Sequence, residues 1–310
     1  MSAEPSHVGR VLVVGDVMID ILVQSEGPLV AGSDRRARIL MRQGGSGANQ
    51  AVWLAHNGVA VDFVGRVGAQ DLAAQEAIFR RAGVTPYLAG DVQHETGRLI
   101  ALIEANGERS FLTDRAANEA LCLEDIARAP IEAAGLIHLS GYSFFAPKPR
   151  AAAIETMARA RALGVAVSID PASAGFVREV GAEQFLAWTA GARMIFPNGD
   201  EAETLTGAAD EEEQLRRLAA RYPIVVIKRG AAGAQMAAGA ARLTLPAPRR
   251  QAIDTTGAGD AFVAAFIASW LRGSDPRQCL ANAIAAGSLA TQQIGARPTP
   301  TDAAEAGAPV

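Results

Sequence analysis

Short apolar runs alternate with longer helix-favouring segments along most of this chain. Residues 11–14 form a continuous apolar, β-branched run, which is typical of a strand buried on both faces. The same reasoning predicts strands at residues 11–14, 61–67, 136–139, 165–169, 193–196 and 224–227. It predicts helices at residues 48–55, 72–82, 151–163, 183–188, 211–221, 258–271 and 276–292. This order predicts an α/β fold with a central, mainly parallel sheet flanked by helices.

Two segments interrupt the alternation of strands and helices. Residues 21–41 show no helical period, and residues 96–104 and 109–113 are typical of a hairpin that turns at Asn106-Gly107. We expect these segments to form a small β-sheet lid over the carboxyl edge of the main sheet, where ligands bind in open α/β folds. The predicted lid is residues 21–41 and 93–115, and the predicted discontinuous core is residues 1–20, 42–92 and 116–310.

Composition narrows the class of protein. Of the 310 residues, 49% are hydrophobic and 20% are charged, as in an ordinary globular protein. The net charge of −4 and the lack of a basic stretch argue against a nucleic-acid partner. Residues 1–10 contain no apolar leader and no apolar run reaches membrane-spanning length, so we expect no membrane association. The two cysteines are far apart, and we expect them to be reduced in a cytoplasmic protein.

The segment 254–262 (DTTGAGDAF) carries the strongest chemical signal. Gly257 and Gly259 let a ligand approach the backbone, and the first amides of the following helix favour an anion. The segment lacks the lysine of a Walker A loop, and it adds the carboxylate of Asp260. We therefore expect phosphoryl transfer in which the amides of Gly257, Ala258 and Gly259 hold the phosphate and Asp260 is the base. The alternative is a capped helix in which Asp260 is only a capping acid.

A second glycine-rich segment, residues 44–51 (GGSGANQA), lies near the beginning of the chain. Its glycines, including Gly45, allow the backbone to approach a polyol, and the Asn49 amide offers a donor and an acceptor to hydroxyl groups. Asp20, which we place at the end of the first strand, and Asp16 are candidates to accept hydrogen bonds from substrate hydroxyls. The alternative for both acids is a solvated turn.

The two glycine-rich segments together resemble the ribokinase-like (PfkB) carbohydrate kinase family, which has a Gly-Gly loop early and a D-T-x-G-A-G-D segment late. The resemblance extends over roughly residues 9–300. It implies the ribokinase-like fold with a small β lid, ATP and Mg²⁺ as cofactors, a small sugar as substrate, and a homodimer formed through the lid. It also implies that Asp260 is the catalytic base, that Gly257–Gly259 is the anion hole, and that Asp20 and Asn49 bind sugar.

The resemblance extends to the nucleotide side of the site. Asn198 and Glu201 match an N-x-x-E element, in which Glu201 would hold Mg²⁺ through water. Lys228, followed by Gly230 and Gly233, would flank the nucleotide. The alternatives are a helix N-terminus in which the acids complement the dipole and a solvated lysine.

Three further positions match the family less specifically. Asn282 corresponds to a position near the adenine, although it also fits an ordinary helix-surface amide. Asp254 and Thr256 correspond to a monovalent-cation site beside the anion hole, from which we expect stimulation by K⁺. Local capping explains these two residues nearly as well.

Two departures from the family pattern bear on the substrate. Ribokinases tend to have lysine where this chain has Ser46 and glutamate where it has Ser140, which weakens the case for ribose. We expect a free sugar or sugar acid, whose carboxylate could meet one of Arg98, Arg109 and Arg115. The alternatives are a nucleoside kinase and a non-catalytic sugar- or nucleotide-binding regulator. A Rossmann dehydrogenase is disfavoured, because the first strand lacks the glycine fingerprint.

Overall fold

The computed structural model describes residues 9–29, 31–103 and 109–298. The side chain of Arg109 and the predicted turn at Asn106-Gly107 lie outside the described residues. None of the described helices is long and apolar enough to cross a membrane. Both cysteines, Cys122 and Cys279, are free thiols.

The described residues form two sheets and a set of flanking helices. Strands β1 to β13 span Arg10–Val14, Met18–Ser25, Ala37–Gly44, Val61–Gly68, Val84–Asp91, Gly97–Ile103, Arg109–Asp114, Ala134–Ser140, Ala166–Asp170, Met194–Ile195, Ile224–Lys228, Ala234–Ala238 and Ala241–Leu245. Helices α1 to α10 span Ser46–His56, Leu72–Arg81, Leu123–Ile126, Pro147–Leu163, Ala174–Val180, Ala182–Trp188, Gly199–Thr206, Glu211–Ala219, Ala258–Leu271 and Pro276–Ala290.

The larger sheet has the strand order β13-β12-β11-β10-β9-β8-β1-β4-β5. Its strands pair in parallel from β11 to β5, and β12 and β13 add an antiparallel edge. Helices cover both faces of this sheet. Successive side chains of a strand point to opposite faces, so each strand contributes to an apolar cluster on either side. In β1, Val11 and Val13 lie in one apolar cluster, and Leu12 and Val14 lie in the other. The predicted α/β fold with a mainly parallel sheet is confirmed.

The smaller sheet has the order β3-β2-β6-β7 and contains the segments predicted to form a lid. Its register aligns Met41, Ile21, Ile100 and Leu112 in one row on one face. Asp20 precedes Ile21 and therefore lies on the opposite face. The sequence analysis placed Asp20 at the end of the first strand, which is wrong: β1 ends at Val14, and Asp20 belongs to β2 of the smaller sheet.

The strands that the sequence did not predict lie at the edges of the larger sheet. The edge strand β5 contains Pro86 and Gly90, which both disfavour a strand assignment. The other edge includes β12, whose sequence AQMAA has no β-branched residue. Pairing with β4 and β11 respectively, rather than local propensity, accounts for these two strands.

Candidate active site

The candidate site lies where the two glycine-rich segments meet. One segment leads from β3 into α1, and the other leads into α9. Ser46 Oγ donates to Asp260 Oδ1 at 2.8 Å, and Asn49 Nδ2 donates to Asp260 Oδ2 at 3.1 Å. The carboxylate of Asp260 therefore joins two segments that are more than 200 residues apart in sequence.

Asp260 lies in the first turn of α9 without acting as its cap. The N-cap residue of α9 is Gly257, and no side chain makes a capping hydrogen bond there. Burial raises the pKa of Asp260 to about 7, although the hydrogen bonds from Ser46 and Asn49 lower it. A carboxylate with such a pKa is suited to accept a proton near neutral pH.

The backbone before α9 has a conformation that favours glycine. Gly257 has φ +74°, and a Cβ on it would collide with the backbone of Ala296. The first amides of a helix have no acceptor within the helix and point outward with partial positive charge. Lys228 Nζ lies 3.7 Å from the place where a Cβ on Gly259 would stand, and its charge adds to that of the amides.

Lys228 forms a buried ion pair that the sequence analysis missed. Its Nζ donates to the two carboxylate oxygens of Asp170 at 2.9 and 3.1 Å. Burial alone would lower the pKa of Lys228, but the carboxylates of Asp170 and Glu201 more than offset this and raise it. Asp170 is the last residue of the apolar strand β9, which is the signal that could have found it. Lys228 is thus paired rather than solvated.

Asn198 and Glu201 form a capping box at the beginning of α7. Asn198 donates to the two Glu201 carboxylate oxygens, each at 2.8 Å, and the Glu201 amide donates to Asn198 Oδ1 at 2.9 Å. Burial raises the pKa of Glu201, and the neighbouring charge of Asp170 raises it further. The helix-terminus interpretation therefore holds for this pair.

The donor set around Glu201 fits a cation that is held through water. No group of three or more His, Cys, Asp or Glu residues in the described part of the chain could hold a metal ion directly. Each carboxylate oxygen of Glu201 accepts one hydrogen bond and keeps a second acceptor position. A single carboxylate with water and phosphate ligands is an arrangement that Mg²⁺ commonly adopts.

Asp16 lies in the site, but its carboxylate binds protein groups. It accepts hydrogen bonds from the amides of Ser46 and Gly47 at 3.2 and 3.0 Å, and from Ser140 Oγ at 3.2 Å. Arg115 Nη2 adds an ion pair at 3.1 Å. In this structure Asp16 and Ser140 hold the beginning of α1 in place.

Asp20, by contrast, accepts no hydrogen bond from the described residues. Burial and the nearby charge of Asp16 raise its pKa to about 6, and the charge of Arg297 opposes this. It faces Gly44, where a Cβ would overlap the Asp20 carboxylate. The adjacent Gly45 has φ +90°, and a Cβ there would lie 2.5 Å from the Asp16 carbonyl oxygen. The two adjacent glycines thus let the backbone pass close to the Asp20 carboxylate, whose oxygens remain available as acceptors.

A cavity of about 440 Å³ lies beside Lys228 and is lined in part by Asn198, Gly230 and Arg229. Gly233 closes the turn after β11 with φ +103°.

Asn282 on α10 contacts two neighbouring side chains. Its Nδ2 donates to Ser269 Oγ at 2.9 Å, and its Oδ1 accepts from Gln278 Nε2.

Asp254 and Thr256 form a compact turn before the segment Gly257–Gly259. Asp254 Oδ1 accepts hydrogen bonds from the Thr256 amide and hydroxyl at 3.0 and 2.7 Å. The second oxygen, Oδ2, accepts from the Gly295 amide at 3.1 Å. These bonds tie the turn before Gly257–Gly259 to the residues that follow α10.

Two arginines reach the site. The sequence analysis named one of them, Arg115, as a candidate. Arg115 follows the lid strand β7, and its guanidinium lies 3.9 Å from the centre of the Tyr142 ring. Arg297, which the sequence analysis missed entirely, donates to Asn49 Oδ1 at 3.0 Å and to the Gly44 carbonyl at 3.2 Å. Its position near the end of the chain, outside any helix or strand, gave no signal.

Comparisons with known proteins show what this chain is similar to. Residues 8–303 match the family described as pfkB family carbohydrate kinase. The ATP-dependent ribose-1-phosphate kinase of Halopiger xanaduensis is 32% identical, over 94% of this chain and 95% of that protein. A fructokinase of Klebsiella pneumoniae is 28% identical, over 93% and 95%. A solved structure of a probable sugar kinase from Rhizobium etli superposes with a TM-score of 0.85 at 26% identity, covering 95% of this chain and 96% of that one.

The contact between Gly257 and Ala296 generates a test of stability. We expect Gly257→Ala to lower the free energy of unfolding by clearly more than the ~1–2 kcal/mol that positive φ alone costs an alanine. The matched control is Gly239→Ala, because Gly239 has φ +55° with nothing within 4 Å of the added Cβ. Urea unfolding of both variants measures the difference, and equal losses would contradict the importance of the Ala296 contact.

Proposed function

As a member of the PfkB family of carbohydrate kinases, this chain is an ATP-dependent sugar or nucleoside kinase, and we propose that it phosphorylates a hydroxyl group of a small sugar or sugar acid. The observation that carries the proposal is the partly buried carboxylate of Asp260, which is bonded to Ser46 and Asn49 at the beginning of the anion-binding helix α9. Binding alone would not need a carboxylate poised near neutral pH.

In the proposed mechanism Asp260 is the general base. It accepts the proton of the attacking hydroxyl as that oxygen forms a bond to the γ-phosphorus of ATP, while the bond to the β-phosphate oxygen breaks and ADP leaves. The amides of Gly257, Ala258 and Gly259 stabilise the charge on the transferring group. Because both oxygens of Asp260 accept hydrogen bonds in this structure, the substrate hydroxyl takes one of the remaining acceptor positions or replaces Ser46.

On the acceptor side, Asp20 is the group with free acceptor capacity. We propose that it binds a hydroxyl pair of the sugar, together with Asn49 and the backbone at Gly45. Asp16 supports this loop by accepting hydrogen bonds from the amides of Ser46 and Gly47, and Ser140 in turn donates to Asp16. The relatives named for ribose 1-phosphate and fructose support a sugar acceptor.

On the donor side, we propose that the nucleotide lies along Asn198, Lys228, Gly230 and Gly233, with Asn282 near the base. The charge of Lys228 beside Gly259 supports a phosphate position there. Glu201 would hold Mg²⁺ through water, and the cation would neutralise phosphate charge when bound.

We also propose that a monovalent cation, K⁺, binds beside Asp254 and Thr256. The turn that these residues form connects the anion hole to the segment after α10. A cation there would order the amides that hold the phosphate.

A homodimer formed through the lid, in a cytoplasmic protein, completes the proposal. The lid face opposite Asp20 carries Ile39, Met41 and Leu112, which are 61%, 58% and 60% exposed. Exposed apolar patches of this kind commonly mark protein interfaces.

An acceptor panel tests the proposed substrate class. We expect ADP formation from Mg–ATP to depend on the acceptor, with a kcat/KM for fructose, ribose, 2-keto-3-deoxygluconate or ribose 1-phosphate above that for adenosine and pseudouridine. A nucleoside at least tenfold better than every sugar would favour the nucleoside-kinase alternative. Binding of ATP and sugar without any ADP formation would favour the non-catalytic regulator.

The variant Asp260→Asn tests the base. We expect kcat to fall by about 10²–10⁴-fold, which is roughly 3–5 kcal/mol of barrier, with little change in the KM for the acceptor. The lost interaction acts mainly in the transition state. The matched control is Asp275→Asn, which alters an exposed helix-capping carboxylate on α10. Retention of more than about a tenth of the wild-type kcat by Asp260→Asn would contradict the assignment.

A further inference from the structure

Arg297 is held at the junction of the anion hole, Gly257–Gly259, and the glycine-rich segment 44–49, which we call the acceptor loop. The segment that contains it follows α10 and is fixed by the hydrogen bond from Gly295 to Asp254. Trp53 Nε1 on α1 donates to the Ala296 carbonyl at 2.9 Å, and the Ala296 backbone packs against Gly257. The Arg297 side chain thus extends toward Asn49 from a backbone that is tied to both loops.

The contacts of Arg297 determine how the Asn49 amide is oriented. An arginine side chain can only donate hydrogen bonds, so the atom of Asn49 that faces Arg297 Nε at 3.0 Å must be the carbonyl oxygen. The Nδ2 group then points to Asp260 Oδ2 at 3.1 Å. The second donor, Arg297 Nη2, holds the carbonyl of Gly44, where the acceptor loop begins. Arg297, Asn49 and Asp260 form one chain of hydrogen bonds.

The position of Arg297 is costly for a residue that only stabilises the fold. Its Nη1 atom is buried and has no hydrogen-bond partner among the described residues, and an unsatisfied buried donor is unfavourable. Burial lowers the pKa of Arg297 to about 10, and the nearby charges of Asp20 and Asp260 oppose this shift. A neutral residue of similar length would leave no buried donor without a partner. It would also remove the hydrogen bonds to Asn49 and Gly44 and the positive charge.

We infer that Arg297 is a positioning residue of the acceptor site: it fixes the Asn49 amide toward Asp260 and holds the acceptor loop against the anion hole. This inference rests on the proposed function of Asp260 as the base. In this role Arg297 aligns the acceptor and Asp260, and it makes no contact with the nucleotide.

Two variants separate the hydrogen-bond bridge from the charge. Arg297→Met keeps the length of the stem and removes both donors and charge, and Arg297→Lys keeps the charge without the two-donor fork. We expect Arg297→Met to lower kcat/KM for the acceptor by about tenfold to hundredfold. The KM for ATP should stay within about twofold, because only the acceptor side is disturbed.

The pH profile provides a readout that a purely structural role would not move. Removing a positive charge near Asp20 and Asp260 raises their pKa, so the acid limb of kcat/KM should move upward by about one pH unit in Arg297→Met. Arg297→Lys should keep the wild-type limb and still show the loss in kcat/KM. The control is Arg277→Met on α10, where the side chain is exposed, and we expect wild-type kinetics.

A double-mutant cycle with Asn49→Ala tests the proposed route. If Arg297 acts through Asn49, the two losses will be strongly non-additive in Asn49→Ala/Arg297→Met. Additive losses, an unchanged acid limb, or equal losses of ATP and acceptor affinity with a lowered Tm would overturn the inference. These outcomes require an active wild-type protein; a wild type that transfers phosphate to no acceptor would instead overturn the proposed function, and the inference with it.

Discussion

The carboxylate of Asp260 is where the two halves of the candidate site are joined. It lies on α9, and its two hydrogen bonds come from Ser46 and Asn49 on α1. Helices α1 and α9 pack against each other within one of the two apolar clusters. Buried side chains of that cluster, such as Leu54 and Phe266, therefore support the contact. This contact fixes the segment Gly257–Gly259 and the glycine-rich segment 44–49 relative to each other.

Electrostatics around this contact follow from burial. Removing Asp260 from water disfavours its charged form, and the two donors partly restore it. Lys228 and Arg297 supply positive charge on two sides, but each is engaged: Lys228 pairs with Asp170, and Arg297 bonds to Asn49. Asp20 is left as an acid without a hydrogen-bond partner among the described residues, which is the feature expected of a group that awaits a polar ligand.

The sequence was sufficient to predict the parts of this structure that local pattern determines. Apolar strands buried on both faces predicted the parallel sheet, and two glycine segments predicted the loops that meet at Asp260. It could not predict strands near the edges of the larger sheet, such as β12, because pairing rather than composition forms them. It also missed Asp170 and Arg297, since their roles arise from neighbours brought together only by the fold: Lys228 for one and Asn49 for the other. The placement of Asp20 on the first strand failed because the chain crosses into the smaller sheet at residues 15–17.

The pH dependence of kcat/KM for the acceptor, measured side by side for the wild type and Asp260→Asn, tests the central claim most directly. A base whose pKa is raised to about 7 by burial accepts a proton only when it is ionised. The wild type should therefore lose activity below an acid limb with its midpoint near pH 7, and the residual activity of Asp260→Asn should keep only a lower limb near pH 6 that belongs to Asp20. A limb that stays near pH 7 in Asp260→Asn would come from a group other than the proposed base and would contradict the assignment. A wild-type profile that stays flat down to about pH 5, as for an ordinary aspartate, would contradict the account.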